Sequence, residues 1–198
     1  VTDTLPSQAC CPANAHALAR YAALCQEHDI VPIVEPEVLM DGDHDLTRSF
    51  EVTQHAQQTV FAALADQAVD LRGIVLKPSM VISGADAVDR AGIKEVAQQT
   101  LRCLLSTVPA AVPGIAFLSG GQSDEEATQH LNTMNEIGGS LPWAVTFSYG
   151  RALQAAAMKR WAGHSDNVES ARQVAFHRAQ MNGAAALGQY SSEMEKAA

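Results

Sequence analysis

In RGIVLKPSMV, residues 72–81, an apolar run from Gly73 to Leu76 is closed by Lys77 and Pro78. A short run of this kind, rich in β-branched residues and bounded by Gly and Pro, reads as a buried parallel strand. IVPIVEPE (30–37), GIAFLS (114–119) and WAVTFS (143–148) follow the same plan. Helical segments lie between them. Residues 14–28 space Leu18, Tyr21, Ala22 and Cys25 along one face, and residues 46–69 do the same with Val52, Ala56, Val60, Ala63 and Leu64. A third helix is predicted over 93–107, and SDEE (123–126) is a capping box opening a fourth. Two more follow in 148–163 and 166–185, and the closing Ser, Glu, Lys and Ala residues read as a mobile tail.

Alternating helix and strand predicts an α/β fold with a parallel sheet and crossover helices. No linker or repeat divides residues 1–198, so they form one architectural unit. Four β/α units amount to half of a (β/α)8 TIM barrel; an open four-stranded sheet is the alternative.

A chain with 47% apolar and 18% charged residues has globular composition. The net charge of −9 argues against a nucleic-acid or acidic-membrane partner, each of which needs a basic face. No apolar run reaches the roughly 20 residues of a membrane span. Cys10, Cys11, Cys25 and Cys103 lack metal-ligand spacing and read as reduced thiols of a cytoplasmic protein. A start at Val1 reads as processing or truncation.

In parallel β/α folds, chemistry gathers at the carboxyl ends of the strands. Those ends carry Glu35 with Glu37, then Lys77, then Ser119-Gly120-Gly121, then Ser148-Tyr149-Gly150-Arg151. Lys77 suits a Schiff base with a ketone, since apolar surroundings favour the neutral amine that attacks carbonyls; a lysine paired with a carboxylate is the competing reading. Glu35 suits proton transfer beside such an imine, or a salt bridge. The two glycine-containing ends, the second followed by an arginine, suit a phosphate, although Gly-Gly also makes ordinary turns. DGDHD (41–45) lacks the later ligands of a calcium loop and reads as a solvated turn. No HEXXH pair exists for a hydrolytic zinc, and Trp143 and Trp161 read as packing residues.

Taken in order, ARYAALCQEHDIVPIVEPEVLMDGDHDL, LKPSMV, FLSGGQSDEEA and PWAVTFSYGRALQAAAMKRW resemble the class I fructose-bisphosphate aldolases over about residues 14–190. The resemblance implies a (β/α)8 barrel with strands five to eight in this chain. It implies cleavage of fructose 1,6-bisphosphate through a lysine imine, without a metal or other cofactor, in a homo-oligomer that is commonly a tetramer. Lys77 matches the imine lysine, Glu35 the acid/base glutamate and Glu37 its companion. Ser119, Gly120 and Gly121 match one phosphate-binding loop, and Ser148, Gly150 and Arg151 the second. The family's first four strands also supply an aspartate and further basic residues without counterparts here, and SSEMEKAA lacks the terminal tyrosine of many members. Another Schiff-base aldolase or transaldolase, and a non-catalytic half-barrel that binds phosphorylated ligands, are the alternatives.

Overall fold

A computed structural model describes residues 1–197. Its sheet has four parallel strands, β1 (Ile33–Val34), β2 (Val75–Leu76), β3 (Gly114–Phe117) and β4 (Ala144–Phe147), in the order β1-β2-β3-β4. The helices are α1 (Cys10–Glu27), α2 (Leu46–Asp66), α3 (Ile93–Thr107), α4 (Asp124–Ile137), α5 (Arg151–Trp161) and α6 (Val168–Ala185). Neighbouring helices pack together in sequence from α1 to α4, and α6 packs on both α4 and α5.

The strands are shorter than the apolar runs that contain them. Pro32 and Pro36 flank β1, Pro78 follows β2 by one residue and Pro113 precedes β3, and none has an N–H to give to a ladder. Register explains the placing of Lys77. Val34 pairs with Leu76, Leu76 with Ile115, and Ile115 with Val145; these four and Phe117 point to one dry face, exposed by 5% or less. Successive strand residues point to opposite faces. Glu35 and Lys77, each one residue further on, therefore share the other face. Burial on that face is uneven: Ile33 is exposed, Val75 and Thr146 are half-buried, and Ala116 is buried. Leu76 and Pro78 therefore face away from the amine, which shares its side of β2 with Val75.

Three other expectations change. α1 starts at Cys10, with Pro12 in the first turn where an N–H is dispensable. The DGDHD turn is not solvated throughout: His44 is buried, Asp45 caps α2 by accepting from Arg48 N–H at 2.7 Å, and the turn is zipped to residues 84–86. Gly84 N–H donates to His44 O, Ala85 N–H to Met40 O and Asp86 N–H to Gly42 O at 2.8–3.0 Å. The closing segment is not a free tail, since Ser192–Ala197 forms a 3-10 helix anchored through Glu195; Ala198 lies outside the described residues. Trp143 packs as expected and donates from Nε1 to Pro109 O at 3.0 Å, whereas Trp161 is 45% exposed.

Candidate active site

The four strand ends are held side by side by backbone bonds. Lys77 N–H donates to Val34 O at 2.8 Å, Leu118 N–H to Pro78 O at 3.2 Å and Ser148 N–H to Phe117 O at 2.8 Å. Ser79, buried just beyond Lys77, accepts from Val38 N–H at 2.9 Å and donates to Val38 O at 3.1 Å. These bonds fix the Glu35–Glu37 corner against the end of β2, which brings Lys77 Nζ to 3.0 Å from Glu35 Oε1. The lysine side chain is 21% exposed and the glutamate 40%, so the pair is reachable from solvent.

Glu37, exposed, reaches towards Gly120. A Cβ added to Gly120 would lie 3.5 Å from Glu37 Oε1 and collide with the Met40 methyl group. Gly121 has φ +72° and also packs on Met40, so both glycines are required: the first by close approach, the second by backbone conformation as well. Gln122 N–H closes the turn on Ser119 O at 3.2 Å. Ser123 then opens α4 with a complete capping box to Glu126.

Ser119 is buried, and its Oγ accepts from Ala152 N–H at 3.4 Å, tying the β3 loop to the start of α5. Gly150 caps α5 without a side chain, and Arg151, its first residue, is exposed. The N–H groups of such a helix start, with an adjacent guanidinium, form an electropositive end. The structure therefore pairs Lys77 with Glu35, sets Glu37 against Gly120, and links Ser119 to the helix that follows Ser148, Gly150 and Arg151. A concavity of about 620 Å³ lies between α1, α2 and the Glu35–Leu39 segment; it is lined by Glu35 and Glu37 but not by Lys77.

Sequence reading missed Arg90 and His130. Arg90 Nη2 donates to Gly121 O at 3.2 Å and pairs with Glu126 at 3.5 Å. His130 of α4, fully buried, contacts Gln122 Oε1 through Nδ1 at 2.7 Å. Burial, with the Arg90 charge adding to it, pulls the His130 pKa down to about 4, so the ring is neutral near pH 7. No periodic or spacing signal marks either residue.

A family model described as "Fructose-bisphosphate aldolase class-I" matches residues 1–198. The "Probable fructose-bisphosphate aldolase class 1" of Xanthomonas campestris is 54% identical over 96% of this chain and 57% of its own length. Fructose-bisphosphate aldolase B of Gallus gallus is 52% identical over 96% of this chain and 52% of its own. The solved structure of fructose-bisphosphate aldolase from Plasmodium falciparum, "in complex with TRAP and a small molecule inhibitor", superposes with a TM-score of 0.92 at 46% identity, covering 94% of this chain and 54% of that one. The fold is thus α/β of the (β/α)8 barrel class, with four of its strands here. The chain belongs to the class-I fructose-bisphosphate aldolase family, and it spans about half the length of the curated relatives it matches.

Proposed function

We propose that residues 1–198 are the carboxyl-terminal part of a single barrel domain in a Schiff-base lyase that reversibly cleaves fructose 1,6-bisphosphate to dihydroxyacetone phosphate and glyceraldehyde 3-phosphate. The observation that carries this reading is the accessible 3.0 Å contact between Lys77 Nζ and Glu35 Oε1 at the strand ends of a chain from this family.

A proton passed from Nζ to Glu35 leaves a neutral amine beside a carboxylic acid. The amine attacks the C2 ketone, and the acid protonates the departing carbinolamine oxygen, which leaves as water. In the resulting protonated imine, loss of the C4 hydroxyl proton turns C4 into an aldehyde. The C3–C4 bonding pair flows towards the imine nitrogen and gives an enamine. Protonation at C3 and hydrolysis release dihydroxyacetone phosphate and restore Lys77. The C4-hydroxyl base, an aspartate by the family resemblance, belongs to the part of the barrel outside this chain. Chemistry carried by a lysine imine uses no metal or other cofactor.

Ser119, Gly120, Gly121, Ser148, Gly150 and Arg151 hold the ketone-side phosphate in this reading. The start of α5 and the Arg151 guanidinium give that phosphate a positive end, with Ser119 tied to the same helix start by Ala152 N–H. A homo-oligomer and a cytoplasmic location complete the proposal; four free cysteines support a reducing compartment. The test is borohydride reduction of the full-length protein with dihydroxyacetone phosphate, followed by peptide mapping. The expected adduct is on Lys77. Reduction onto another lysine, or onto none, overturns the assignment.

A further inference from the structure

We propose that His130 is a positioning residue for the Ser119–Ser123 loop, holding Gln122 and through it the backbone that the reading above assigns to the phosphate. The proposal rests on that reading, and the experiment below separates the two.

The loop contains two adjacent glycines, the residues with most conformational freedom to lose. It needs bracing from outside, and three braces are present. Ser123 and Glu126 fix its exit, Arg90 holds Gly121 O, and His130 holds the Gln122 carboxamide. Gln122 also closes the turn through its own N–H to Ser119 O, so fixing its side chain fixes both ends of the glycine pair.

The third brace differs from the others in that one partner, His130, is buried. As the neutral ring donates from Nδ1 to Gln122 Oε1, its Nε2 is left as an acceptor. His130 Nε2 and Gln122 Nε2 are buried and have no hydrogen-bond partner among the described residues. Within the helix, a leucine at this position would bury apolar surface with no such cost. The one bond gained by accepting that cost joins α4 to the loop, not α4 to the rest of the core. The site it serves binds the phosphate group of a ketose, so the effect falls on substrates carrying that group.

The test uses the full-length enzyme and two ketones, dihydroxyacetone phosphate and dihydroxyacetone, with imine formation followed by borohydride trapping. His130→Phe keeps a planar ring and removes both nitrogens. It is expected to raise the half-saturating concentration of dihydroxyacetone phosphate, and KM for fructose 1,6-bisphosphate, about tenfold, the scale of one lost hydrogen bond. Half-saturation by dihydroxyacetone and kcat should stay within about twofold. His130→Asn, whose amide nitrogen takes the place of Nδ1, should recover most of the loss. Gln122→Met removes the same bond from the loop side and covers the case in which the phenylalanine variant does not fold. Its effect should match that of His130→Phe, and the double variant should be no worse than either single one. Equal losses for both ketones, or unchanged KM in folded Gln122→Met, overturn the proposal. Failure of the phosphate reading shows in the unmodified enzyme, as equal half-saturation by the two ketones.

Discussion

Lys77–Glu35 and Arg178–Glu195 join the same kinds of charge at similar distance, 3.0 and 2.6 Å, yet their surroundings are opposite. Arg178 is buried and also donates from Nη2 to Asp124 O and Thr128 Oγ1, at 3.2 and 2.7 Å. Glu195 receives Tyr190 OH at 3.0 Å and contacts His177 Nε2 at 2.8 Å. Burial pushes the Glu195 carboxyl up, but the bonds from Arg178 and His177 outweigh it and hold it below the usual carboxylate range; burial and Glu195 together push Tyr190 up to about 12. Lys77 and Glu35 form no other side-chain bond among the described residues, and both reach solvent. A pair bonded to several neighbours ties segments together. A pair with spare capacity is able to exchange its proton and meet a carbonyl.

The largest effect expected from breaking this contrast is on activity. Lys77→Met should lower turnover of the full-length enzyme by more than about 10³-fold, through loss of the nucleophile, while the thermal midpoint stays nearly unchanged. Kinetics and calorimetry on one preparation check both halves, and a large drop in midpoint would put Lys77 among the structural residues. Arg178→Ala should do the converse, since it removes the charge-assisted bonds to Glu195 and those to Asp124 and Thr128, at a cost of about 1.5–3 kcal/mol of unfolding free energy. Urea denaturation reads this directly.

The Glu195 anchor also has a pH signature. A carboxyl held below its unfolded value contributes stability that is fully present above the ordinary range near pH ~4.3 and is lost as the pH falls through its folded value. Glu195→Gln should therefore flatten the fall in stability between about pH 5 and pH 2; an unchanged acid limb would refute the anchoring role. The smallest effect belongs to Arg72–Asp70, where the side chains are 81% and 51% exposed. Arg72→Ala should leave the urea midpoint unchanged within error, because solvent screens such a pair.

The strands, their order of use and the Lys77–Glu35 pair were legible because Pro and Gly punctuate short apolar runs, and because polar residues at several strand ends converge in a parallel sheet. The face on which Lys77 lies was not, since a β-branched run looks alike whether one side or both are covered. His44 and Glu195 were misplaced for a related reason. Charged or titratable residues near turns and termini read as solvated, and His44 is buried through backbone bonds to residues 84–86, about forty positions away. Glu195 finds Arg178 seventeen positions earlier, across a change from helix to loop, where no helical spacing applies. The His130–Gln122 bond crosses the junction between loop and helix, so neither a strand period nor a helix period predicts it.

Because spatial order in the sheet equals order along the chain, each of β2, β3 and β4 finds a neighbour in the strand made just before it. As the polypeptide emerges, each new β/α unit docks beside the one just completed, and every closure spans only one unit of chain, which keeps its entropy cost low. Growth of this kind has a direction in time. Within these residues β2 and β3 are sealed on both sides, while β1 and β4 each keep one edge for strands beyond them.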